Sequence, residues 1–176
     1  MVVLADRSLF ETEIGPLFEG APRFLDRLAA ERPFESSESM FERARAIAHA
    51  MPEAEQLELI DAHPRLGAPP GTVSAHSFRE QGYDRAEAEA GASARAVDVA
   101  AELDRLNDAY EAEFGFRYCV YVAGRERVEL LPGITAALGA DRSDEIHRAI
   151  DAVVDIAADR YRRAAGSADH AQATDR

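Results

Sequence analysis

Apolar residues recur at three- and four-residue intervals along nearly the whole chain, and this period constrains the fold more than any other feature. Met40, Ala44, Ile47 and Met51 follow it. So do Val99, Leu103, Leu106, Tyr110 and Phe114, and again Ile146, Ile150, Val153 or Val154, Ala157 and Tyr161. Only residues 116–122 are dense enough in aromatic and β-branched side chains to read as a strand, and a lone strand has no partner to pair with. That segment is therefore expected to be a buried extended connector. The expected fold class is all-α: a single-domain irregular bundle of about eight helices over residues 1–163, followed by a loose tail of small polar residues over 164–176.

Breakers and caps punctuate this pattern. The spacing predicts helices over 9–18 and 22–32, the latter with Pro22 in its first turn. Ser36 and Ser39 are candidate caps for the helix that follows, and Pro52 opens another. That helix should stop at His63, because the residue before a proline is pushed out of the α region. Residues 64–75 form the one long segment rich in proline and glycine, and long loops in compact domains are often functional. A long helix is expected over 92–114 with Gly115 as its left-handed stop. Pro132-Gly133 is expected to delay the next helix to 132–138, and Ser143 to cap the last one.

Charge narrows the function. With 33 acidic residues against 20 basic ones the formal charge is −13, which argues against a nucleic-acid partner. All 20 bases are arginine, a property of the host's coding habits or salt adaptation more than of any site. No segment reads as a signal peptide or approaches the roughly 20 apolar residues of a membrane span, so a cytoplasmic protein with no membrane partner is expected. Cys119 is the single cysteine, which rules out an intrachain disulfide or thiolate cage, and its apolar neighbours suggest a packing role. His49, His63, His76, His147 and His170 show no metal-ligand spacing, so no metal is expected.

Two short segments could carry chemistry. In His63-Pro64-Arg65-Leu66-Gly67 the histidine falls at a helix C-terminus beside a Gly/Pro loop, which suits a proton-transfer group at a cleft and equally suits a histidine capping its own helix. In Ser77-Phe78-Arg79-Glu80-Gln81, Ser-x-x-Glu has the form of a capping box. The same segment could serve a ligand, with Glu80 and Gln81 reading the N–H and C=O edges of an amide-like ring.

Taken in order, His63-Pro64, Ser77-x-x-Glu80-Gln81 and Leu106-Asn107-x-x-Tyr110-x-x-x-Phe114-Gly115-Phe116 resemble the OHCU decarboxylase family. Leu17-Phe18-Glu19-x-x-Pro22, Arg32-Pro33-Phe34, Gln56-Leu57, Asp61-Ala62-His63, Glu145 and Ile156-x-x-x-Arg160 extend the similarity over about residues 9–163. Arg65 after His-Pro, Ala137 and Pro132-Gly133 depart from its usual pattern. The resemblance implies an all-α, often homodimeric enzyme that needs no cofactor. Its reaction is decarboxylation of 2-oxo-4-hydroxy-4-carboxy-5-ureidoimidazoline to (S)-allantoin in uric acid degradation. It implies His63 as the acid/base with Glu80 beside it in the catalytic set. Substrate contacts would come from Pro64, Ser77, Gln81 and the main chain of Tyr118, Cys119, Val120, Tyr121 and Val122. An arginine should hold the substrate carboxylate or its ureido carbonyl, and Arg160 is the candidate. A related hydantoin-like substrate, or a ureide-binding module without turnover, is the alternative reading.

Overall fold

The protein is described by a computed structural model over residues 7–83 and 94–173. Among these residues the elements are helices, with no strand: α1 (Arg7–Ile14), a 3-10 turn (Gly15–Phe18), α2 (Pro22–Ala30), α3 (Ser37–Ala50), α4 (Glu53–Asp61), a 3-10 turn (Pro70–Thr72), α5 (Ala75–Glu80), α6 (Ala94–Phe114), α7 (Arg127–Ala137) and α8 (Arg142–Ala173). The chain forms two compact units, residues 1–62 with 150–176, and residues 63–149.

In the first unit α1 to α4 pack around Phe10, Phe18, Phe24, Leu28, Met40 and Leu59, all essentially removed from solvent. Proline opens α2 at its first position, where the missing N–H costs nothing. Ser36 caps α3: its side chain accepts from the Ser39 N–H, and the Ser39 hydroxyl accepts in return from the Ser36 N–H, both at 3.1 Å. Ring pairs Phe18–Phe24 and Phe41–Tyr161, at centroid distances of 4.7 and 5.8 Å, join the helices.

In the second unit α6 lays Leu103, Leu106, Tyr110 and Phe114 along one buried stripe, as its spacing predicts. Gly115 ends it at φ +79°, with its N–H returned to the Glu111 carbonyl at 2.9 Å. The segment after it is neither helix nor strand, and buries Phe116, Tyr118, Cys119 and Val122.

Several boundaries differ from the sequence reading. The helix expected to begin at Pro132 begins at Arg127 and carries Pro132 inside it. The Glu129 carboxylate accepts from the Glu126 N–H at 2.7 Å and fixes the start upstream of the proline. Asp141, not Ser143, caps α8, its side chain accepting from the Ser143 N–H at 2.9 Å. Residues 164–173, expected to be loose, continue α8 to Ala173. Residues 92–93, where the long helix was expected to start, lie outside the described residues.

Candidate active site

His63 begins the second unit, two residues past the end of α4, and is only 5% exposed. Pro64 prevents the helix from continuing, so the backbone from His63 to Ala68 must find its hydrogen bonds elsewhere. It finds most of them in side chains. The His63 carbonyl accepts from Arg117 Nη1 at 3.0 Å, and the Leu66 carbonyl from Asn107 Nδ2 at 2.9 Å. Gln81 works at both ends of its amide: Nε2 donates to the Arg65 carbonyl at 3.3 Å, and Oε1 accepts from the Gly67 N–H at 2.7 Å. The Tyr83 hydroxyl donates to the Ala68 carbonyl. Each such bond contributes about 0.5–1.5 kcal/mol net, and a buried group left without one costs more.

Two further features hold the same loop. Arg65 donates to the Asp104 carbonyl at 2.9 Å and to Asp108 Oδ1 at 2.5 Å, with Glu111 3.4 Å from its Nε. Gly67 sits at φ +84°, and a Cβ there would lie 2.9 Å from Leu103 Cδ2, so a side chain would strain the backbone and force Leu103 to shift.

The segment Ser77 to Gln81 is not capped as its sequence suggests. Ser74 is the cap of α5, its hydroxyl accepting from the Ser77 N–H at 3.2 Å, so Ser77 lies in the first turn and Glu80 in the last. Ser74 and Ser77 stand three apart, and the structure uses the earlier one. Ser77 is 3% exposed; Glu80 and Gln81, three and four residues on, share its side of the helix and are half-buried. The amide expected to read a substrate ring is, in Gln81, engaged by the loop that carries His63.

Residues 118–122 belong to no helix or strand, with Val120 and Tyr121 half-buried and the other three buried. Two arginines hold their carbonyls. Arg148 Nη1 donates to Cys119 O at 2.8 Å, while Arg125 donates to Tyr121 O at 2.5 Å and Val122 O at 3.0 Å. Arg148 is itself fixed by Glu145 at 2.8 Å and lies over the Tyr118 ring, 4.6 Å from its centroid. Glu145 also accepts from the Tyr110 hydroxyl at 2.8 Å. Burial pushes that hydroxyl far above the ordinary tyrosine range, and the bond to Glu145 adds to the shift.

Arg160 belongs to the first unit and is 2% exposed. Its guanidinium pairs with Glu19 at 2.8 Å and donates to the carbonyls of Leu17 and Pro16 at 3.1 and 3.3 Å. Glu19 holds φ +52° at the end of the 3-10 turn, so Arg160 secures a left-handed corner. The second unit thus contains His63, Pro64, Ser77, Glu80, Gln81 and residues 118–122, while Arg160 has partners of its own in the other.

Arg117, Asn107, Tyr83, Arg127 and Arg148 escape a local reading of the sequence as parts of this site. Asn107 alone carried a signal, a polar residue on the apolar stripe of α6, where it is fully buried. Among the described residues no group of three or more His, Cys, Asp or Glu could hold a metal ion, and no helix is long and apolar enough to cross a membrane.

The described residues thus form an all-helical protein whose second unit carries a buried histidine on a loop held by side-chain hydrogen bonds. Comparison with known proteins gives the family: the family model described as OHCU decarboxylase matches residues 4–162, and the chain belongs to that family. It is 31% identical over 152 residues to the "Uric acid degradation bifunctional protein PucL" of Bacillus subtilis, covering 86% of this chain and 29% of that protein. The chain therefore spans less than a third of the length of that relative. It is 27% identical over 154 residues to the 2-oxo-4-hydroxy-4-carboxy-5-ureidoimidazoline decarboxylase of Halalkalicoccus jeotgali, covering 88% of this chain and 84% of the other. The crystal structure of an OHCU decarboxylase in the presence of (S)-allantoin superposes with a TM-score of 0.65 at 20% identity, covering 90% of this chain and 97% of that one, and shows the same fold.

Proposed function

We propose that this protein decarboxylates 2-oxo-4-hydroxy-4-carboxy-5-ureidoimidazoline to (S)-allantoin in uric acid degradation, with His63 as its acid/base. The observation that carries the reading is the His63 loop, a buried histidine whose flanking backbone is fixed by Arg117, Gln81, Asn107 and Tyr83. Family membership and relatives named for uric acid degradation support it.

The substrate bears its carboxylate on a carbon that also carries a hydroxyl, next to a C=N bond. As the bond to CO2 breaks, its electron pair forms a C=C bond to the neighbouring ring carbon. The C=N pair moves to nitrogen, which takes up a proton. The hydroxyl then loses its proton as the carbonyl forms, and a proton delivered to one face of the neighbouring carbon sets the (S) centre. The substrate is its own electron sink, so this route uses neither metal nor organic cofactor. His63 handles the hydroxyl proton. Glu80 and Ser77 meet the ring's polar edge, Pro64 and residues 118–122 line it, and Gln81 acts through the loop it holds. The gain comes from orientation and fixed polar groups. A homodimer in the cytoplasm is the setting this reading carries with it.

The test couples uricase and hydroxyisourate hydrolase to the protein and follows the product by circular dichroism. Rapid formation of (S)-allantoin by the wild type and only the spontaneous rate with His63→Ala are expected. Racemic allantoin at the spontaneous rate from the wild type, with clean binding of allantoin, would make it a ureide-binding module.

A further inference from the structure

Both residues that secure the far end of the His63 loop, Gln81 and Tyr83, meet a single cation. Gln81 spans the Arg65 carbonyl and the Gly67 N–H, and the Tyr83 hydroxyl donates to the Ala68 carbonyl. Arg127, the first residue of α7, donates from Nη2 to the Gln81 main-chain carbonyl at 3.4 Å. Its guanidinium carbon also lies over the Tyr83 ring, 4.4 Å from the centroid. Among the described residues Arg127 makes no ion pair, so its charge is used on a ring face and a carbonyl and not on a surface carboxylate.

We propose that Arg127 is a positioning residue for the reaction: it fixes Gln81 and Tyr83 together, and through them the loop that carries His63. The proposal rests on the functional reading above for its effect on turnover, while the contact chain itself stands on geometry. The planar fork explains why arginine is needed, because one flat group can cover a ring and donate in its own plane at the same time. Lysine offers a point charge and cannot do both. The link also ties α7 to a loop more than 50 residues earlier, which explains why local sequence patterns give no hint of it. Misplacing a catalytic group by about 1 Å can cost on the order of 100-fold in rate, so slack in this loop should appear in turnover before it appears in binding.

Four variants test it: Arg127→Ala, Arg127→Lys, Tyr83→Phe and the double variant Arg127→Ala/Tyr83→Phe. The readouts are kcat, the affinity for (S)-allantoin, the melting temperature and the exchange rate of the Gly67 amide proton measured by NMR. Arg127→Ala is expected to lower kcat by about tenfold or more, with allantoin affinity within about threefold of wild type. Arg127→Lys should not rescue it. The double variant should be no slower than Arg127→Ala alone, since both substitutions cut the same chain. Gly67 exchange should rise in Arg127→Ala while the melting temperature falls little. Wild-type kcat in Arg127→Ala, or penalties that simply add, would overturn the proposal. So would unchanged Gly67 exchange. A wild type that binds allantoin without decarboxylating would instead overturn the functional reading, and Gly67 exchange in Arg127→Ala would still decide whether Arg127 holds the loop.

Discussion

Gly67 shows how much of the site rests on single residues. Its φ of +84° is open to glycine and strained for alanine, and a methyl group would meet Leu103 Cδ2 at 2.9 Å. Gly67→Ala is therefore expected to destabilise the protein by about 1–3 kcal/mol, read as a lower urea midpoint with unchanged slope. Activity should fall further than stability alone explains, because the same residue donates to Gln81. A variant with the wild-type midpoint would mean the left-handed conformation is not required. At this scale the sequence was legible where a residue announces itself by type: His63 before proline, Gly115 after a long apolar stripe, Cys119 among apolar neighbours. It was silent on Arg117, Arg127 and Arg148. An exposed-looking arginine reads the same whether it faces water or reaches a carbonyl many residues away. Gln81 was expected to read a substrate ring, and its amide engages the loop that carries His63.

Elements were easier to find than their ends. Periodicity located α3, α6 and α8, because a buried stripe must repeat every 3.6 residues whatever surrounds it. Caps were less certain, since two serines three apart can each fit. For α5 the structure chooses Ser74, whose hydroxyl takes the Ser77 N–H. Ser74→Ala should accordingly weaken the start of α5 by about 1 kcal/mol, while removing the Ser77 hydroxyl should leave the cap intact. Amide exchange at Ser77 and Phe78 checks this. Faster exchange in Ser77→Ala than in Ser74→Ala would return the cap to the later serine. Proline misled the reading of α7 for a related reason. Pro132 can be accommodated inside a helix whose start is fixed five residues earlier by Glu129 on the Glu126 N–H, and pairings of that kind are stronger boundary signals than a lone breaker.

At the scale of the molecule, each unit keeps a buried polar network: Arg160 with Glu19 in the first, Tyr110, Glu145 and Arg148 in the second. Such networks specify geometry more than they add stability, and they make the fold sensitive to losing one member. The second also links the fold to pH. Burial, reinforced by Glu145, holds the Tyr110 hydroxyl far above the ordinary range, and burial raises Tyr118 and Tyr83 as well. In the unfolded chain all three ionise near pH ~10. A native value above the unfolded one stabilises the fold fully below pH ~10, and that contribution is lost as pH rises through the native values. Alkaline unfolding should therefore begin above about pH 10 and be steep. Tyrosinate absorbance followed alongside helical circular dichroism checks this. Tyr83, Tyr110 and Tyr118 should ionise only as the helix signal disappears. If these three ionised reversibly with the helices intact, the second unit would be far more open to water than its packing around Tyr110 and Tyr118 allows.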